Sequence, residues 1–321
     1  MAGVEQKNVA ADETGMRLDR WFKVHFPGLG FGHLQKLLRS GQVRVDGGRV
    51  KADTRLQAGQ SVRIPPLGVD EKATGPVTAR TIRSQEDGDV LKQMLIYEDA
   101  KVFVFNKPAG LAVQGGSGLV RHVDGMLEAW RNKKGEKPRL VHRIDRDTSG
   151  CLVVAKTRGA AQALTAAFRE RDTKKTYWAL VKGVPRKRED KISTWLVKEQ
   201  TPDGDKMRVC QHGEPDSDHA VSYYRIIEKV GNNLTWLEME PYTGRTHQLR
   251  VHAAHIGHPI IGDPKYFEAD QNWEFPGGIQ KKLHLHARRI RIPNPSGGMI
   301  DVTAPLPPHM VQSWNLLGFD E

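Results

Sequence analysis

The string Leu140-Val141-His142-Arg143-Ile144-Asp145-Arg146-Asp147-Thr148-Ser149-Gly150 sets two carboxylates among arginines and turn-forming residues, then runs into the apolar Cys151-Leu152-Val153-Val154-Ala155. A charged loop at the end of a rigid strand is a common seat for catalytic groups. A carboxylate kept ionised by a neighbouring cation can serve as a covalent nucleophile. The same residues can do no more than close a turn, because Asp, Thr and Ser supply local hydrogen bonds and Gly supplies permissive backbone angles. A second dense block, Pro241-Tyr242-Thr243-Gly244-Arg245-Thr246-His247-Gln248-Leu249-Arg250-Val251-His252, offers two guanidinium groups at the start of a helix beginning near Thr246.

Other chemistries fit less well. A glycosidase needs two carboxyl groups facing each other across the bond, and Asp145 and Asp147 lie in one loop with no partner motif elsewhere. There is no Gly-x-Ser-x-Gly elbow for acyl transfer. His247, His252, His255, His258, His284 and His286 invite a zinc reading, yet they lack His-Glu-x-x-His spacing and a nearby Cys pair, so no metal is expected. The stretch Lys107 to Gly116 is Gly-rich but lacks the spacing and the Lys-Ser/Thr ending of a phosphate loop.

The elements that would position these residues follow from periodicity. Val102 to Phe105 reads as a buried strand that breaks at Asn106-Lys107-Pro108-Ala109-Gly110. Residues 122–130 and 158–171 read as helices, the second with Ala160, Leu164, Ala167 and Phe168 inward. Residues 174–183 alternate as a strand containing Tyr177; 222–227 and 234–239 form a hairpin; 284–292 and 302–304 are late strands. Residues 185–220, rich in charge and turn formers, are expected as a surface excursion. Upstream, residues 1–14 are polar and expected to be flexible. Residues 15–66 hold two short helices and a tight hairpin turned at Asp46-Gly47-Gly48, and 67–91 read as a polar linker before a second domain at 92–321. Arg17, Arg20, Lys36, Arg39 and Arg44, with Arg49 and Lys51, cover the first module; singly each is a solvated surface residue, and as a set they can meet phosphates.

Composition narrows the partner. A chain of 321 residues can build two cores, and its formal net charge of +11 favours a polyanion such as nucleic acid. Two cysteines, Cys151 and Cys210, make no disulfide framework. The polar N-terminus does not read as a signal peptide, and no apolar run reaches the roughly 18 residues of a membrane span. A cytoplasmic protein is expected.

Three blocks resemble one family. His142 to Gly150 resembles the His-Arg-Leu-Asp-x-x-Thr-Ser-Gly signature of the RluA-type pseudouridine synthases, with Ile144 in place of the Leu. Asn106-Lys107-Pro108-Ala109-Gly110-Leu111-Ala112-Val113 is similar to the family's Asn-Lys-Pro-x-Gly-Leu-x-Val block, and Gly244 to Arg250 to its Gly-Arg-x-His-Gln-Leu-Arg block. Leu37-Leu38-Arg39-Ser40-Gly41-Gln42-Val43-Arg44-Val45-Asp46-Gly47 resembles the core of an S4 RNA-binding domain. The likeness covers nearly the whole chain.

The resemblance implies an α+β protein: a small S4-like α/β RNA-binding module, then a mixed, largely antiparallel β-sheet synthase domain with flanking helices. It implies isomerisation of uridine to pseudouridine in 23S ribosomal RNA or a large-subunit precursor, by a monomer without cofactor. Asp145 would be the nucleophile and Tyr177 would stack on the target base. Arg245 would be the cation beside Asp145, with Arg250 as the alternate. Arg143 would fill the space left by the flipped nucleotide, and His142, grouped with it on the RNA-contacting side, would shape the loop rather than take part in the chemistry. Three alternatives stay open: a non-catalytic S4-type RNA-binding or assembly factor, a synthase acting on tRNA, and a nucleoside hydrolase with a second carboxylate near Asp145.

Overall fold

The computed structural model describes residues 4–26, 29–67, 77–115, 121–133, 135–170, 172–201, 204–267 and 277–320, with the backbone alone at 12 and 77–83. The helix break expected at Pro27-Gly28, part of the expected linker (68–76) and Arg171 lie outside them. The chain divides into two compact units, Met1–Arg80 and Thr81–Glu321.

In the first unit β1 (Glu5–Asn8) is followed by α1 (Leu18–His25), α2 (Phe31–Arg39), β2 (Arg44–Val45), β3 (Gly48–Arg49) and β4 (Ser61–Ile64). The sheet order is β1-β4-β2-β3. Leu18, Trp21 and Phe22 of α1 and Leu34, Leu37 and Leu38 of α2 bury one apolar stripe each against Val45, Leu56, Val62 and Ile64. The β2–β3 turn uses Asp46 and Gly47 with positive φ, the backbone form that Asp-Gly favours in a two-residue hairpin. The expectation of a flexible stretch over 1–14 is corrected by β1, which pairs with β4 from Glu5↔Ile64 to Asn8↔Ser61. The open edge of β4 supplies hydrogen-bond partners to a segment with almost no apolar side chains, so its sequence gave no strand signal.

The linker expectation over 67–91 also needs correction, because α3 (Val77–Met94) occupies its second half. Its described part meets the core only in its last turns, through Leu91 and Met94, and so lacks the repeating stripe that betrays a helix.

The second unit is built on an eleven-stranded sheet. After α3 come β5 (Leu95–Glu98), β6 (Val102–Lys107), α4 (Val123–Met126), β7 (Arg139–Leu140), β8 (Ser149–Ala155) and α5 (Arg158–Glu170). They are followed by β9 (Lys174–Lys182), β10 (Glu189–Thr201), β11 (Gly204–Cys210), β12 (Asp218–Val230), β13 (Leu234–Pro241) and α6 (Gln248–His255). The last elements are β14 (Leu285–Pro293), β15 (Met299–Thr303) and α7 (Pro308–Leu317). The order is β11-β10-β12-β13-β9-β14-β8-β6-β5, with β15 beside β14 and β7 beside β8. The named strands pair antiparallel except β14 with β8, so the fold is α+β with a largely antiparallel sheet.

The surface excursion expected over 185–220 is instead β10, β11 and the start of β12. Ile192, Thr194 and Leu196 are buried, but the inward Thr194 is polar and the outward Trp195 is apolar, which masks the alternation. α7 also escaped the sequence reading; it buries Met310 and Trp314 against Leu180, Leu234 and Trp236.

Two helices share one face of the sheet. α5 packs Ala160, Leu164 and Ala167 on Cys151 and Val153, and α6 packs Leu249 and Ala253 near Ala179, Leu237 and Met239. Tyr177 touches both clusters. None of the described helices is long and apolar enough to cross a membrane.

Candidate active site

The loop between β7 and β8 carries Asp145. Its backbone carbonyl accepts the Thr148 N–H at 3.2 Å, and the neighbouring Arg146 carbonyl accepts the Gly110 N–H at 2.9 Å. Beneath it lies Lys107, fully buried, whose Nζ donates to the carbonyls of Pro108, Leu111 and Arg146 at 2.8, 2.8 and 2.9 Å. One ammonium therefore ties the Asn106-Lys107-Pro108 turn to the Asp145 loop. Burial pushes its pKa down to about 7, against the pull of Asp147 and Asp145. Gly150 begins β8 with φ of 109°, and a Cβ there would stand 2.3 Å from the Ala287 carbonyl oxygen, so only Gly lets β14 approach.

His142 turns inward: Nε2 accepts the Val153 N–H at 2.8 Å, and its ring stacks on Phe168 at 4.4 Å. Burial and Lys175 hold its imidazole down at about 3, so it is neutral at physiological pH. The expectation that His142 contacts RNA is corrected; its ring braces the loop from within. Arg143 points outward, and its Nη2 donates to Thr246 Oγ1 at 2.8 Å.

Of the two arginines in the second block, Arg250 faces Asp145. Its Nη1 lies 3.8 Å from Asp145 Oδ2. Its Nε and Nη2 grip both oxygens of Asp263 at 2.7 Å, a bidentate pair that is almost wholly buried. Burial alone would lower the Arg250 pKa, but Asp263 and then Asp145 hold it above its usual value. The Tyr266 ring lies under the guanidinium at 5.1 Å, and its hydroxyl accepts the Met207 N–H and bonds His247 Nδ1.

Arg245, the first choice from sequence for that position, turns away. Its Nε donates to the His219 carbonyl at 3.3 Å, and its Nη1 is 3.3 Å from Asp218. The cause lies in Gln248, which accepts the Arg245 N–H and the Thr243 hydroxyl while donating to the Val221 carbonyl. This pins the turn to β12. His247 follows in the left-handed region at φ 52°, and α6 starts from there with Arg250 on its inner side.

Tyr177 sits in β9 opposite Met239 of β13 and Ala287 of β14, between α5 and α6. Burial raises its phenol pKa, and the charges of Asp145 and Cys151 raise it further, so it stays protonated at neutral pH. The site joins a half-exposed carboxylate, a buried cation and an apolar phenol ring. It can present a carboxylate beside a surface able to hold a planar base.

Sequence reading missed Asp263, Tyr266 and Lys107 as members of the site. Only Lys107 had a signal, its place in the Asn-Lys-Pro block. Asp263 answers the hydrolase alternative, since it is sealed behind Arg250 and cannot face a substrate with Asp145. The histidines are bonded inside the fold: His252 to Thr194 and Ser222, His284 to Ser313, His286 to Ser149. Among the described residues no cluster of His, Cys, Asp or Glu could hold a metal. In the first unit Arg20, Lys36 and Arg39 are exposed; Arg17 is paired with Asp19, and Arg44 donates to the Gly41 and Gly47 carbonyls.

The chain is similar to known proteins over most of its length. Residues 101–255 match the family described as RNA pseudouridylate synthase. The chain is 36% identical over 311 residues to the ribosomal large subunit pseudouridine synthase C of Pasteurella multocida, covering 96% of this chain and 92% of that one. It is 36% identical over 304 residues to the protein of that name from Escherichia coli, covering 93% and 92%. Among solved structures, human RNA pseudouridylate synthase domain containing 4 aligns with a TM-score of 0.61 at 26% identity, over 75% of this chain and 99% of that one. A lone carboxylate braced by a buried arginine, on a sheet of this topology and in a sequence of this likeness, leaves one assignment: the chain belongs to the RluA-type family of RNA pseudouridine synthases.

Proposed function

We propose that this synthase isomerises uridines of 23S ribosomal RNA, with Asp145 as its nucleophile. The observation that carries the role of Asp145 is its half-exposed carboxylate facing Arg250, which Asp263 fixes from behind. The RNA is inferred from the relatives named ribosomal large subunit pseudouridine synthase C. Isomerisation breaks the C1′–N1 bond, turns the base and forms a C1′–C5 bond; the C5 proton leaves and N1 is protonated, so nothing is consumed. Asp145 attacks either C1′ or C6 of the flipped nucleotide. Arg250 stands beside the carboxylate, and Tyr177 provides the apolar wall for the base. Arg143, exposed at the mouth, fills the gap in the RNA; flipping costs on the order of a few kcal/mol. The first unit acts as an S4 module whose exposed Arg20, Lys36 and Arg39 meet phosphates.

The test is incubation of wild type and Asp145→Ala with unmodified 23S ribosomal RNA, followed by carbodiimide labelling and primer extension. Site-specific stops with wild type that vanish with Asp145→Ala are expected. Stops that persist with Asp145→Ala would remove it as nucleophile; binding without stops would remove this RNA as substrate.

A further inference from the structure

Thr194 of β10 bonds His252 of α6, so strand alternation turns Ser193 and Trp195 to the opposite face of the sheet. There Trp195 stands opposite His219 of β12. Its ring centre is 5.2 Å from the His219 imidazole and 4.5 Å from that of His212, while Ser193 Oγ bonds His219 Nε2 at 3.0 Å. His212 and His219 are exposed and Trp195 is half-buried. The helices described above pack over other parts of the sheet, on the clusters around Cys151, Phe105, Leu237 and Trp236.

Arg245 connects this aromatic group to the active site. It clasps the backbone and side chain at the start of β12, through the His219 carbonyl and Asp218. Its neighbour Thr246 accepts the hydrogen bond from Arg143, two residues from Asp145 in the same loop. Contacts thus run in series from Arg143 to Thr246, from its neighbour Arg245 to the His219 backbone, and from the His219 ring to Trp195 and on to His212, a ridge of touching residues.

We propose that this ridge is a subsite for an unpaired nucleotide flanking the target uridine. The base stacks against Trp195 beside His212 and His219, and Arg245 meets the phosphate backbone that leads from it toward the uridine. Planar rings interleaved with cations suit single-stranded RNA, because every base has a π face and every linkage a charge. The polar surroundings and the chain's net charge of +11 favour that occupant over a protein partner, which would need an apolar anchor. The opposing charge of Asp218 is matched by Arg245. This subsite rests on the reading of the chain as a ribosomal RNA synthase, and it gives Arg245 a role in substrate binding.

The test measures the Kd of the full chain for unmodified 23S ribosomal RNA and, with the same RNA, pseudouridine formation at saturating enzyme. Trp195→Ala should raise Kd about tenfold, and Trp195→Phe, which keeps a stacking ring, less than about threefold. His212→Ala, at an exposed position, should raise it about threefold with an unchanged Tm. The rate at saturation should stay near wild type in all three. Wild-type affinity in both Trp195→Ala and His212→Ala overturns the proposal; if Trp195→Ala does not fold, His212→Ala and Trp195→Phe decide it. A wild type that binds but forms no pseudouridine removes the activity reading, while the Kd comparison still judges the subsite.

Discussion

Arg245 and Arg250 belong to one sequence block, and the start of α6 assigns them different work. Arg250 is enclosed by Asp263, Asp145 and Tyr266, whereas Arg245 is exposed on the rim. Arg250→Ala is therefore expected to reduce the single-turnover rate at least a thousandfold, since it also leaves the Asp263 charge buried and unpaired. Arg245→Ala should lower that rate less than tenfold and act mainly on RNA affinity. Asp263→Asn tests the brace separately. Removing one member of a buried ion pair costs about 3–5 kcal/mol, so a fall in Tm should accompany a loss of rate of roughly a hundredfold or more, with RNA affinity kept. Equal rates for wild type and Asp263→Asn would mean that Arg250 holds its place without the second carboxylate.

At the scale of the element, the Asp145 loop is a strand-to-strand connection fastened from below. The Lys107 ammonium bonds three carbonyls, and a Met there would take the donor from those of Pro108 and Leu111, while that of Arg146 keeps the Gly110 N–H. With each buried unmet group costing about 1–3 kcal/mol, Lys107→Met should lower stability by at least about 2 kcal/mol, read from denaturant unfolding, and slow catalysis more than tenfold. The pH dependence has a definite sign. The folded pKa of about 7 lies below the roughly 10.4 of an unfolded lysine, so the unfolded chain binds more protons between those values. Stability from this group is present above the unfolded pKa and is lost as pH falls through about 7. The stability advantage of wild type over Lys107→Met should thus shrink as pH falls from about 10 to about 7 and stay constant below about pH 6. At the other end of the loop, Gly150→Ala forces a Cβ to 2.3 Å from the Ala287 carbonyl oxygen and should disrupt the β8–β14 junction, with loss of the folded protein in thermal melts.

At the scale of the whole molecule, each unit buries its own core. The apolar cluster of the first unit runs from Val9 to Leu67 without a residue from the second. Asp145, Arg250 and the buried Asp263 all lie in the second unit. Residues 81–321 expressed alone should keep the saturated rate of pseudouridine formation within about threefold while KM for 23S ribosomal RNA rises tenfold or more. The slope of log Kd against log salt should also shrink, because each lost phosphate contact removes close to one ion from the release term. An unchanged KM and salt slope would show that the first unit does not bind this RNA.

The sequence by itself determined the chemistry-bearing loop, the family, the strands with uninterrupted apolar runs, and the hairpin turned at Asp46-Gly47. These features are local: residue types in a fixed order, a period of two or of 3.6, and turn residues with permissive backbones. It did not reveal β1 or β10–β11, whose polar composition conceals strands held by neighbouring backbone, nor α3, which buries only its last turns. Nor could it choose between Arg245 and Arg250. That choice rests on Gln248 gripping β12, on the left-handed His247, and on Asp263, contributed by a loop beyond α6. Tertiary structure decided the site because an arginine's role depends on which distant carboxylates and carbonyls surround it, and chain order carries no distances.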